Sequence, residues 1–225
     1  MLIIGFGSKA RQGKDSAAEA ISEHYARENR LKREHGILHG AGTQVGTFKF
    51  ATALYEEVNM YLKAYSVGHV GTWQNFRPAM DVQIPEWVQP DPNPEVNELA
   101  PYGKHPKLLQ WWGSDFRRAQ DPEYWTKKLF ASIPANLNIA LISDTRFPNE
   151  ALGIKQRGGY LVNVQRLRED GTKYYATDRP VDHPSETALD SYNWDFTLIN
   201  SAGHQALLGE QAITLAAYLR GLNGK

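Results

Sequence analysis

The sequence predicts an α/β protein built on a parallel sheet, with a phosphate-binding loop at its amino end. Three observations carry this. Residues 1–16 read MLIIGFGSKARQGKDS: a short apolar run, a small-residue loop carrying Gly13-Lys14, and then a helical pattern. Beyond them, short apolar runs alternate with stretches of helical spacing, the pattern of βα units. The chain, 225 residues long, has room for one sizeable α/β domain with an inserted part.

Leu2, Ile3, Ile4 and Phe6, interrupted by Gly5 and ended by Gly7, read as a strand buried on both faces. Strand, loop and helix in that order form a P-loop, in which loop N–H groups and the open N–H groups of the helix start converge on a polyphosphate. The expected phosphate contacts are Ser8, Lys9, Arg11, Gln12, Gly13, Lys14, Asp15 and Ser16. Two positions depart from the usual G-x-x-x-x-G-K-[ST] pattern. Ser8 stands where the first glycine belongs, and Gly7 is one residue early, which leaves a longer loop open. Asp15 replaces the hydroxyl residue after the lysine. A carboxylate beside phosphates calls for a cation between them, so Asp15 reads as a Mg2+ ligand.

Later elements follow from spacing. A helix is expected over 14–29, with Ala17, Ala18, Ala20, Ile21, His24 and Tyr25 on one face, and then an exposed charged helix end and loop over 27–39. A strand over 45–50 and a helix over 51–65 come next. Residues 66–106 carry seven prolines and scattered aromatics, and so read as a covering loop or small insertion, with Arg77 as a candidate substrate contact. A helix is expected over 107–119. A second begins after Asp121 as N-cap and Pro122 as first residue, covering 123–133. A strand over 137–143, a helix over 148–157 stopped by Gly158-Gly159, a strand over 160–165, a polar stretch over 166–190, a strand over 196–200 and a helix over 205–222 complete the chain.

Composition narrows the function classes. The chain has 25 basic and 25 acidic residues, which argues against a general nucleic-acid binder. It contains no cysteine, so disulfides and thiol catalysis are excluded. The first apolar run belongs to the P-loop strand rather than to a signal peptide, and no run approaches a membrane span. A soluble cytoplasmic protein is expected.

Three clusters fall where a parallel sheet gathers its ligands, at the carboxyl ends of strands. Asp144-Thr145-Arg146-Phe147-Pro148-Asn149-Glu150 follows the most apolar strand; Asp144 suits a Mg2+-holding acid and Arg146 a phosphate contact, the alternative being a turn-stabilising Asp–Arg pair. In the segment 113–125, Asp115, Arg117 and Arg118 lie among Trp111, Trp112 and Trp125. Adjacent arginines on a helix point in different directions, so one of them reaches a given phosphate. The tryptophans either stack on a base or fill the core. Last, Arg166 and Arg168 are candidates for cations that close over a transferring phosphoryl group, with His183 and Glu186 positioning that lid.

These motifs, in this order, resemble those of the bacteriophage deoxynucleoside monophosphate kinases, within the P-loop nucleoside monophosphate kinase superfamily. The likeness rests on SKARQGKDS, LLQWWGSDFRRAQDPEYW, SDTRFPNEA and HPSETALD followed by DFTLIN, which span most of the chain outside 66–106. It implies a P-loop kinase fold with a five-stranded parallel sheet, a core of 1–65 and 134–225 that includes a lid over about 166–190, and a monophosphate-binding region over 66–133. It implies Lys14, Arg118, Asp144 and Arg146 as active-site residues. The residue clusters themselves add Arg166 and Arg168, give Arg77, Trp112, Asp115, Arg118 and Trp125 as expected substrate contacts, and give Asp15 and Asp144 as expected metal ligands. Tyr55 departs from the pattern, standing where a lysine is common. The implied reaction moves the γ-phosphoryl of ATP, with Mg2+, onto a deoxynucleoside 5′-monophosphate (dNMP). A homodimer is an open expectation. Two rivals remain: another small-molecule P-loop kinase, of the phosphomevalonate or dephospho-coenzyme A type, and a slowly hydrolysing nucleotide-binding module.

Overall fold

The computed structural model describes residues 1–66, 85, 106–177, 182 and 184–223. Arg77, His183 and most of the 66–106 segment lie outside them. The elements in chain order are β1 (Leu2–Gly7), α1 (Lys14–Glu34), β2 (Val45–Phe48), α2 (Phe50–Ser66) and α3 (Pro106–Gln110), which runs into a π-helical stretch, Trp111–Arg118. Then come α4 (Tyr124–Ser132), β3 (Ile139–Thr145), α5 (Pro148–Gln156), β4 (Tyr160–Leu167), α6 (Pro184–Thr187), β5 (Phe196–Ser201) and α7 (Gln205–Asn223). The chain forms two compact units, one of Met1–Phe50 with Lys128–Lys225 and one of Ala51–Lys127. The second unit therefore takes in residues from 51 onward, where 66–133 was expected. Among the described residues, no helix is long and apolar enough to cross a membrane.

The first unit is organised on a five-stranded, all-parallel sheet of order β2-β3-β1-β4-β5. β1 lies at its centre with all six residues buried, which is why its apolar run does not alternate. Its side chains still divide by face with a period of two. Leu2, Ile4 and Phe6 join Ile139, Leu141, Val162 and Val164 in a core with Ala17, Ile21, Ala212 and Leu219 of α1 and α7. Ile3 joins Ala140, Ile142 and Leu161 in the opposite core, with Ala151 and Ile154 of α5. Gly7 leaves room for a ring: a Cβ there would lie 2.2 Å from Trp194.

α1 runs to Glu34, well past the expected end of its periodic pattern. Apart from Asn29, residues 27–34 are good helix formers, Glu28 and Lys32 pair at 2.7 Å one turn apart, and buried Asn29 exchanges hydrogen bonds with the backbone of Thr43 at 2.8 and 2.9 Å. His24, expected on the apolar face, is exposed.

The second unit has its own core of Val58, Leu108, Trp111, Trp112 and Trp125. The segment expected as one regular helix widens into π-turns at its tryptophans. There Trp111 stacks on Phe116, five residues on, with centroids 5.4 Å apart. Asp121 Oδ1 accepts the Glu123 N–H at 3.0 Å, so it caps as expected, while the α-helix itself begins at Tyr124.

Candidate phosphate-binding site

The site begins where β1 ends. Ser8 has φ 104° and Gly13 φ 108°, so the serine adopts the backbone that the first glycine of the loop pattern normally supplies. The left-handed backbone thus begins at Ser8, directly after β1. Gly13 has a second constraint, since a Cβ on it would lie 2.7 Å from Asn200 Nδ2 and 2.8 Å from Leu208. Asn200, on β5, donates to the Gln12 carbonyl at 2.8 Å. The buried Gln12 amide donates to the carbonyls of Ala10 and Tyr174 at 3.2 and 3.0 Å, and its oxygen accepts the Arg166 N–H at 2.6 Å. Polar tethers from β4 and β5 thus hold the loop in one shape.

Lys14 opens α1 and is 6% exposed. Its ammonium turns back onto the carbonyls of Ser8 and Lys9. Burial, and next the Arg146 guanidinium, push its pKa down to about 7; Glu186, Asp15 and Asp144 pull the other way. Asp15 Oδ1 accepts the Ser143 hydroxyl at 2.7 Å and pairs with the Lys49 ammonium at 2.7 Å. Partial desolvation would raise the Asp15 carboxyl, but the Lys49 and Ser143 hydrogen bonds outweigh it and hold it below the ordinary range. Asp144 ends the apolar stretch of β3, and its Oδ1 accepts the Phe50 N–H at 2.8 Å.

Arg146 and Glu186 form the other wall. Arg146 Nη1 donates to Glu186 Oε1 at 2.6 Å and to the Ser185 carbonyl at 3.2 Å. Glu186, its side chain 3% exposed, also accepts the Ala10 N–H of the loop at 2.7 Å through Oε2. The Arg146 N–H goes to Glu150 at 2.8 Å. Lys9 bonds the Glu186 carbonyl at 2.7 Å and Asp190 at 2.6 Å. A cleft of about 490 Å³ opens among these groups, within the usual range for a small-molecule site. Ser8, Lys9 and Gln12 line it from β1, Arg146 from β3, and Asn163 and Gln165 from β4, with Tyr174, Tyr175 and Trp194 adding aromatic surface. It lies at the carboxyl ends of β1 and β4, which are neighbours whose onward connections run to opposite sides of the sheet.

The first unit thus brings together Ser8, Lys9, Gln12, Gly13, Lys14, Asp15, Asp144, Arg146 and Glu186. Arg166 stands beside this group, its backbone on Gln12 and its guanidinium 4.6 Å from the Tyr174 ring centroid. Arg168 is exposed on the turn closed by its N–H to the Thr172 carbonyl at 2.8 Å, away from the cleft lining. Arg11 (φ 57°) and Ser16 are exposed at the rim. Sequence reasoning missed Lys49, Ser143, Asn163, Gln165 and Asn200, because only the strand order brings them to the loop.

The remaining candidates belong to the second unit. Trp112 is fully buried and Trp125 nearly so, with its Nε1 on the Gly113 carbonyl at 2.9 Å. Neither ring keeps an open face for a base, so packing describes both. Arg117 donates to Glu57 at 3.0 Å and lies over the rings of Trp112, Phe116 and Tyr124. Glu57 also accepts from Trp112 Nε1 at 2.8 Å and from the Tyr124 hydroxyl. Arg118 is half-buried at the end of the π-helical stretch, and Asp115 is exposed on it.

Hard oxygen donors suit Mg2+, and Asp15 already holds a cation, the Lys49 ammonium, against its carboxylate. Among the described residues, no three His, Asp or Glu side chains group as a metal cage. An ion at Asp15 and Asp144 would therefore share its coordination with phosphate oxygens and water. Compared with known protein families and with curated proteins, the chain matches none.

Proposed function

We propose that the chain is a deoxynucleoside monophosphate kinase, moving the γ-phosphoryl of ATP onto the phosphate of a dNMP. The observation that carries this reading is the loop over residues 8–13: glycine-like backbone at Ser8 and Gly13, and Lys14 buried at the start of α1. The likeness of the linked motifs to the phage kinases supplies the acceptor.

In the reaction, an oxygen of the acceptor phosphate bonds to the γ-phosphorus as the bond to the β,γ-bridging oxygen breaks, and ADP leaves. A phosphate acceptor is already anionic near neutral pH, so no general base is needed. Loop N–H groups and the α1 start bind the β- and γ-phosphates, and the Lys14 ammonium exchanges its carbonyl partners for phosphate oxygens. Arg146 brings a second fixed cation to the cleft wall. Mg2+, held by Asp15 and Asp144, would neutralise charge on the phosphate oxygens. Arg118 would take the acceptor phosphate.

A coupled ADP-release assay tests the reading. With Mg·ATP, we expect turnover on at least one of the four dNMPs above that on phosphomevalonate and dephospho-coenzyme A, with the ribonucleotides run alongside to read sugar preference. Turnover confined to a non-nucleotide acceptor would assign the site to the other kinase class.

A further inference from the structure

Lys49 directly follows β2, and no motif singles it out. Its ammonium lies 2.7 Å from Asp15 Oδ1, the oxygen that also accepts the Ser143 hydroxyl. The pair faces solvent, Lys49 being 44% exposed and Asp15 69%. Exposed ion pairs contribute little to stability, so the fold does not account for it. Its place does. Asp15 sits one residue past the loop lysine, in the slot that usually supplies a hydroxyl to the metal, and both Asp15 and Asp144 act through their charge on the Lys14 ammonium. Lys49 therefore sets a positive charge on one of the two carboxylates able to hold a divalent cation.

An ammonium and a divalent cation compete for such a carboxylate. Resting on the kinase reading above, we propose that Lys49 is a further phosphate-binding residue of this site, kept on Asp15 until a divalent cation takes that carboxylate and then released to the reacting phosphates. Asp15 keeps a cation against its carboxylate before and after the exchange. Lys14 is held by loop carbonyls at the bottom of the site, whereas Lys49 carries its charge on a flexible, solvent-facing stem. It can thus follow the γ-phosphoryl or the acceptor phosphate, groups that ADP lacks.

The competition is read with Mn2+ and saturating ADP, from the loss of the free-ion electron paramagnetic resonance signal. Lys49→Met should bind Mn2+ about two- to fivefold more tightly than wild type, the scale of an exposed ion pair. In an Asp15→Asn background the same substitution should change nothing. In turnover, Lys49→Met should lower kcat by about tenfold or more, as losing a cation on a transferring phosphoryl does. Unchanged Mn2+ affinity, an equal gain without Asp15, or unchanged kcat overturns the proposal while the kinase reading stands. Wild type that binds neither Mn2+ nor ADP overturns both, and this shows before any variant is compared.

Discussion

In the proposed kinase, nucleotide binding should be a proton-uptake event at Lys14. Its pKa of about 7 reflects burial beside Arg146 with only carbonyls as partners. At pH 8, about one lysine in ten is therefore charged. A bound polyphosphate supplies negative charge and returns the pKa toward its ordinary 10.5, so nearly every lysine becomes charged. Binding then takes up about 0.9 proton per site at pH 8. The sign follows: the bound state holds more protons, so affinity falls as pH rises between the two pKa values, by about ninefold from pH 8 to pH 9. Isothermal titration of Mg·ATP in two buffers of different ionisation enthalpy gives the proton count. ATP is itself deprotonated at pH 8, and Lys14→Met serves as the blank. Enthalpies independent of the buffer, or an uptake that persists in Lys14→Met, would refute the reasoning.

Ser8→Gly should raise stability by about 1 kcal/mol, since relief of the left-handed strain exceeds the added freedom of the unfolded chain; urea unfolding checks this, and a lower midpoint contradicts it. Arg117→Ala should cost about 2 kcal/mol of stability, because it strips a charge partner from half-buried Glu57, and should leave KM for dNMP nearly unchanged. Arg118→Ala should instead raise KM for the monophosphate well above any change for ATP; steady-state kinetics and melting separate the two, and equal effects would contradict the assignment. Asn200→Ala leaves the Gln12 carbonyl without its donor, at about 1–3 kcal/mol, so amides in 8–13 should exchange faster and KM for ATP should rise. Unaltered exchange would mean that the loop needs no tether from β5.

The order of elements was legible because it depends on local pattern. Continuous apolar runs mark β1 and β3 as central strands, and Gly13-Lys14 ahead of a helical period marks the loop. The end of α1 was less legible, since buried Asn29 reads as polar until its bonds to Thr43 are seen. The role of Trp112 was hidden for the opposite reason: a large ring reads equally as core or as a stacking surface, and only its burial decides. The contacts that shape the site join residues far apart in sequence, as Asp15 with Ser143 and Gln12 with Arg166. Those pairings follow from β1 lying between β3 and β4, which no local pattern encodes.

In the proposed function, the loop serves transfer between two phosphates rather than hydrolysis. Phosphorus NMR of a reaction containing Mg·ATP and the preferred dNMP follows every product at once. A transferase should give one deoxynucleoside diphosphate for each ADP, no accumulation of inorganic phosphate, and a rate lowered about a hundredfold or more in Lys14→Ala. ADP appearing with inorganic phosphate, and no diphosphate made from the dNMP, would contradict it.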